Sequence, residues 1–278
     1  MLSSFVFEIA AFVLGLLFGS FLNVCISRLP RHESVVSPRS RCPVCLTPIR
    51  SLDNIPLVSW VLLRGRCRSC GARISIRYAL VEGATAALFL LCLLEFGLSL
   101  AGAAAAVFCW LLLGLSATDA ETMLLPDALT LPGLAVGVVY SGIRGAPEGW
   151  SFAWKAAGES LLWAGSATAF ILLIRGIYWL IRGREGIGLG DAKLLAMIAA
   201  WLGFWPTVLT LFLGVVGAAA YGVVAIGLRR GQTESADSAA ADGRARMRIP
   251  LGAFLSAAAI FTVFQGDAVI RWYLSFWP

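Results

Sequence analysis

The chain has 278 residues, 59% of them hydrophobic and only 14% charged, with a formal net charge of +6. At a mean hydropathy of +0.83 it carries too little charge to clothe a water-facing globule of this length, which excludes an ordinary soluble domain. The basic excess is not interleaved with aromatics in the regular way of single-strand nucleic-acid binders. Nucleic acid is therefore set aside as a partner, and the charge is read as membrane topology.

Eight apolar segments follow in order: about 4–27, 79–98, 101–118, 128–143, 158–181, 192–205, 207–228 and 250–265. Most approach the ~20 residues needed to cross roughly 30 Å of hydrocarbon; the sixth is short. The expectation is an all-α polytopic membrane protein of about eight transmembrane helices, with one long polar loop, 28–78, between the first two. The first segment lacks a basic leading region and a small-residue cleavage site, so it reads as a retained helix. Segment 230–247 is polar, rich in small residues and reads as a mobile loop. The tail Gly266–Pro278 is aromatic and reads as interfacial.

Arginine counts give an orientation. The first loop holds ten arginines (28, 31, 39, 41, 50, 64, 66, 68, 73 and 77) against Glu33 and Asp53. The excess of positive charge on cytoplasmic loops puts it inside. Alternation then makes 119–127, 182–191 and 229–249 cytoplasmic, and the last two of these are also arginine-bearing. Asp119 ends the third span and Asp191 begins the sixth, so topology places both at the cytoplasmic face.

Seven cysteines fall into two groups. Cys25, Cys92 and Cys109 lie inside apolar segments and read as small buried hydrophobes. Cys42-Pro-Val-Cys45 and Cys67-Arg-Ser-Cys70 sit in the polar loop, 21 residues apart. Two such knuckles offer four thiolates to a tetrahedral Zn²⁺. The alternatives are two disulfides or four free thiols; a cytoplasmic loop is a reducing environment that disfavours disulfides. Four thiolates close the coordination sphere, so the metal would be structural, folding a loop that otherwise lacks a core. His32 reads as an exposed loop residue.

The remaining chemistry is in carboxylates. Asp119 and Asp127 bracket the loop after the third span, and Gly186-Ile-Gly-Leu-Gly-Asp191-Ala-Lys193 opens the sixth. Charge at the edge of an apolar span is costly to keep without a partner or a task. Two carboxylates sharing one proton can divide acid and base roles, while Gly188 and Gly190 leave room for another backbone to approach. The bland alternative makes Asp191 and Asp127 helix N-caps. Lys193 stands two residues from Asp191, on a different helix face, as a weaker supporting residue. Glu82, inside the second span, is read as a partner of Arg77.

These runs resemble those of bacterial prepilin peptidases, the bifunctional leader peptidase/N-methyltransferases of type IV pili and type II secretion. The resemblance rests on Phe18–Pro30, Ser40–Cys45, Asp53–Trp60, Arg64–Cys70, Ile74–Glu82, Asp119–Pro132, Gly186–Leu195 and Ile249–Phe254, nearly the whole chain. It implies a GxGD-type aspartyl peptidase with Asp119 and Asp191 as the catalytic pair and Asp127 outside it. It divides the chain into an N-terminal membrane region with the zinc loop (1–100), associated with methylation, and a membrane-embedded peptidase domain (101–278). S-adenosylmethionine is implied as methyl donor, with no donor-binding residues assigned. The implied substrates are prepilins or pseudopilins with a short basic leader ending in glycine, at the bacterial inner membrane. Ile187 and Ala79 depart from the family's usual methionine and proline, as does the Gly-Leu-Ala-Val-Gly run after Pro132. Outside this resemblance, a proton- or cation-coupled transporter and a non-catalytic assembly subunit docking through the zinc loop are the competing readings. The spans are mostly bare of mid-membrane charge, which counts against the first.

Overall fold

A computed structural model describes residues 2–184, 186, 188–233 and 249–276. The polar segment read as a mobile loop therefore lies mostly outside the described residues, as do Glu185 and Ile187. The described residues form nine α-helices and no strand: α1 Leu2–Arg28, α2 Val58–Leu62, α3 Arg77–Phe96, α4 Leu100–Thr122, α5 Asp127–Gly145, α6 Trp150–Arg182, α7 Leu189–Leu202, α8 Phe204–Thr233 and α9 Leu251–Leu274. Seven of these are long and apolar enough to cross a membrane. Large apolar side chains such as Leu94, Leu173, Leu180 and Val223 cover their outer surfaces, as lipid-facing helices require.

All eight apolar segments are helical. The sixth, α7, has 14 residues, about 21 Å at 1.5 Å per residue, and falls short of a full crossing. Gly203, at φ +77°, ends it in a conformation open to glycine. The C-terminal tail differs from the sequence expectation: α9 continues through Gly266 to Leu274, because no residue beyond that glycine breaks the helix.

The chain divides into two compact units, Met1–Thr118 and Asp119–Pro278. In the first, α1 and α3 run antiparallel at very close range. A Cβ on Gly15 would lie 2.6 Å from the Ala86 Cα, and one on Gly19 2.7 Å from the Glu82 Cα. Leu22, Cys25, Ile26 and Val81 close this seam. Trp110 of α4 donates its indole N–H to the Phe18 carbonyl at 3.0 Å and stacks on Phe21. Cys92 and Cys109 are buried and hydrogen-bonded to one another.

In the second unit, α7 is the core. Its residues from Ala192 to Trp201 are buried apart from Lys193, so the helix is apolar all round, as a fully enclosed helix must be. The Trp201 indole donates to the Gly133 carbonyl at 2.8 Å, and a Cβ on Gly137 would stand 2.6 Å from that ring. Ser160 adds a 2.8 Å bond to the Ala200 carbonyl.

Adding a side chain at the α1–α3 seam is expected to force two backbones apart. Gly19→Leu should cost about 1–3 kcal/mol or more by overpacking, read as a lower thermal unfolding midpoint in detergent. Gly158→Ala, where nothing lies within 4 Å, should leave the midpoint unchanged.

Candidate active site and metal centre

Asp119 lies in the last turn of α4 and is 5% exposed. Its Oδ2 accepts the Ala253 N–H at 2.9 Å, and the carboxylate also accepts the Gly252 N–H. Both amides belong to the first turn of α9, where the regular i→i−4 acceptors are missing; the Ala253 N–H is shared with the Pro250 carbonyl at 3.2 Å. The carboxylate thus satisfies the N-terminus of another helix and sits at the positive end of its dipole. Gly252 is dictated by this approach: a Cβ there would fall 3.0 Å from Asp119 Oδ2 and 2.9 Å from Leu125 Cδ1.

Asp191 occupies the third position of α7. The N-cap is Gly188, with no side-chain cap of its own, and the Asp191 carboxylate reaches back to the Gly188 N–H. This is the return half of a capping box, not the N-cap itself. A Cβ on Gly188 would meet Asp191 Oδ2 at 3.3 Å. Asp119 stands close enough for its charge to act on Asp191. Leu125 joins the two sides, since Cβ atoms added to Gly190 and to Gly252 would both collide with its side chain. The room left by Gly188 and Gly190 is therefore taken up within the chain, by a carboxylate and by Leu125.

Asp127 is likewise not an N-cap: that position is Pro126, and Asp127 is the first helical residue. Its carboxylate instead receives the Lys193 ammonium at 2.6 and 2.8 Å. The pair is solvent-exposed, and such pairs contribute only about 0–1 kcal/mol. Its consequence is positional, since it ties the start of α5 to the first turns of α7 beside Asp191. Sequence reading missed this pairing because 66 residues separate the partners. It also passed over Leu125 and the amides of Gly252 and Ala253. The one available signal was Pro250-Leu-Gly, a helix start able to receive an anion.

The four loop cysteines converge in the first unit. Their sulfurs all lie within 4.8 Å of one another, with Cys42–Cys70 at 3.8 Å and Cys45–Cys67 at 4.0 Å. Tetrahedral zinc with Zn–S bonds of about 2.3 Å needs sulfurs roughly 3.8 Å apart, so the donor set fits that ion. The two knuckles share one backbone design. Cys42 N–H donates to the Thr47 carbonyl and Cys67 N–H to the Ala72 carbonyl, while Leu46 N–H and Gly71 N–H return to the first cysteine of each pair. Gly71 takes a left-handed φ of +72°; Leu46 holds φ +58° without being glycine. The Thr47 hydroxyl and backbone bring the Cys45 thiol down to about 6, and the backbone N–H groups of Cys70 and Ser69 lower Cys67. The Arg68 guanidinium clamps Asp53 in a bidentate pair, Nε to Oδ2 and Nη2 to Oδ1, fixing the second knuckle to the turn at Ser51–Asn54. His32 is exposed and outside the cysteine set.

The fold and these sites define a polytopic helical membrane protein with a four-cysteine module and a carboxylate pair, Asp119 buried and Asp191 half-buried. Comparison with known proteins places it further. Residues 13–96 match the bacterial peptidase A24 N-terminal domain, and residues 106–223 match the type IV leader peptidase family. The chain belongs to the type IV leader peptidase family. It is 36% identical to a prepilin leader peptidase/N-methyltransferase of Aeromonas salmonicida, over 95% of this chain and 92% of that one. The protein of that name from Stutzerimonas stutzeri is 36% identical over 97% and 94%. The one from Pseudomonas aeruginosa is 34% identical over the same shares. No solved structure gives a significant match.

Gently purified protein is expected to hold one zinc ion per chain by elemental analysis. Cys42→Ser and Cys67→Ser should each lose it, and acidification should release it, because the thiolate ligands bind only deprotonated. In a double-mutant cycle, Asp127→Asn and Lys193→Gln should show a thermal-stability coupling of at most about 1 kcal/mol; a larger value would mean that the pair is shielded from solvent.

Proposed function

We propose that the protein removes the leader from prepilin or pseudopilin substrates at the cytoplasmic face of the inner membrane and N-methylates the amine so released. The names of its relatives give the two activities, and the arginine-rich first loop supports the orientation. Asp119 and Asp191 are the catalytic pair, with Gly188, Gly190 and Lys193 in support. Residues 101–278 carry the peptidase, and residues 1–100, with zinc on Cys42, Cys45, Cys67 and Cys70, carry methylation. S-adenosylmethionine is the methyl donor.

The observation behind the peptidase reading is the electrostatic contact of Asp119 with Asp191 beneath the N-terminus of α9. Two neighbouring carboxylates that repel one another, Asp119 buried and Asp191 half-buried, are most stable with one proton between them. Asp119 accepts two helix N-terminal amides, which suits it to the base role. Asp191, with a single backbone donor, then carries the proton. In this assignment Asp119 takes a proton from water as the oxygen attacks the scissile carbonyl carbon. Asp191 donates to the carbonyl oxygen; as the tetrahedral intermediate collapses, Asp191 takes that proton back and Asp119 gives its own to the departing nitrogen, so the C–N bond breaks and the new amine leaves. The same edge position suits a substrate whose scissile bond lies just outside its own apolar helix. Relatives named as peptidases give the transporter reading no support.

Asp119→Asn and Asp191→Asn are each expected to lower leader removal by at least 1000-fold, near the ~10²–10⁴ typical of acid–base groups, while the protein still accumulates in the membrane. Substrate mass before and after incubation reads this out. Near-normal processing by either variant would remove that residue from the pair. Asp127→Asn should retain most of the activity.

A further inference from the structure

The seam between α1 and α3 holds a second buried carboxylate that the aspartate site does not use. Glu82, in the second turn of α3, is 7% exposed. Its Oε2 accepts the Leu57 N–H at 2.8 Å, and the Ser20 hydroxyl donates to it as well. Both partners are neutral. One turn nearer the loop, Asn23 is 2% exposed and gives its Nδ2 to the Tyr78 carbonyl at 3.0 Å. Its Oδ1 is buried with no hydrogen-bond partner among the described residues. Ser20 and Asn23 are three apart on α1, and Tyr78 and Glu82 four apart on α3, so the unpartnered Asn23 oxygen and the Glu82 carboxylate share one face of the seam.

The group is short of donors and of positive charge. A carboxylate at this depth is costly to hold ionised against neutral partners, and an orphaned amide oxygen adds to the deficit. Leu57, which donates to Glu82, holds φ +58°, ψ −48°, a strained conformation of the kind that collects at working sites. The complement to this deficit is a compact cation with several N–H donors, a primary ammonium.

We infer that Glu82, Asn23 and Ser20 form the site that receives the α-ammonium of the leader-cleaved substrate for methylation. This rests on the methyltransferase reading given above. An ammonium has no lone pair to attack with, so it must first give up a proton, and the Glu82 carboxylate takes it. Asn23 Oδ1 accepts a second N–H and aims the nitrogen. The N–C bond then forms as the C–S bond of a sulfonium donor breaks, the electron pair leaving on sulfur as a thioether. The methylated nitrogen carries the positive charge, and Glu82 returns its proton to water.

The test uses the full-length enzyme with a prepilin substrate, leader removal and N-methylation being read together by mass spectrometry. Glu82→Gln keeps an acceptor for the Leu57 N–H, removes the charge and turns the second oxygen into an NH2 donor. It is expected to leave leader removal within about twofold and lower methylation by roughly 100-fold. Asn23→Ala should raise KM for the cleaved substrate more than it lowers kcat, again without loss of leader removal. Methylation by Glu82→Gln within threefold of the unaltered enzyme would overturn the proposal while leaving the methyltransferase reading intact. An unaltered enzyme that cleaves but never methylates would instead remove that reading, and this site with it. If Glu82→Gln fails to accumulate, Asn23→Ala decides: an unchanged KM contradicts the site.

Discussion

The carboxylate of Asp119 against the first turn of α9 is the contact on which the second unit turns. It settles two problems at once. The N-terminus of α9 starts in apolar surroundings with amides that need an acceptor, and Asp119 ends α4 with a charge that needs donors. Meeting them fixes Gly252 as a residue without a side chain and places Leu125 against it. Leu125 in turn sets how closely Gly190, and therefore Asp191, can approach. The functional reading of the aspartates depends on this chain of contacts more than on either residue alone.

α7 supplies the other half. A short helix enclosed on all sides cannot shift without opening the core, so a residue in its first turn is held firmly. The anchors at its far end are polar and specific: the Trp201 indole on Gly133 and the Ser160 hydroxyl on Ala200. At the near end Asp191 ties back to Gly188, and Lys193 is tied to Asp127. An ion pair that adds little to stability can still set the register of two helix starts. The first unit solves its own problem differently, by glycines that let α1 and α3 touch and by four cysteines poised to organise a loop whose apolar side chains, such as Val36, Leu52 and Leu62, stay exposed.

Much of this was legible in the sequence because the signals are local. Apolar run length marks the spans, and the two Cys-x-x-Cys knuckles mark the cysteine cluster. The short sixth segment was already visible as an anomaly. What could not be read were the partners of side chains across long separations. Asp127 looked like a cap, and its lysine lies on another helix. Glu82 was given to Arg77, its neighbour in sequence, whereas its carboxylate meets Leu57 and Ser20. The glycines before Asp191 suggested open room, yet Leu125, 65 positions away from Gly190, fills part of it. Gly71 makes the left-handed turn of the second knuckle, but Leu46 makes the equivalent turn of the first with no glycine to mark it. In each case local pattern fixes the element, and tertiary packing chooses the partner.

The central claim is that Asp119 and Asp191 work as a pair holding one proton between them. The pH dependence of kcat/KM for leader removal tests it most directly. At low pH both carboxyls are protonated and no base is available; at high pH both are ionised and no acid remains. The account predicts a bell-shaped profile whose two limbs belong to the pair. A profile that rises once and then stays level to alkaline pH would contradict it.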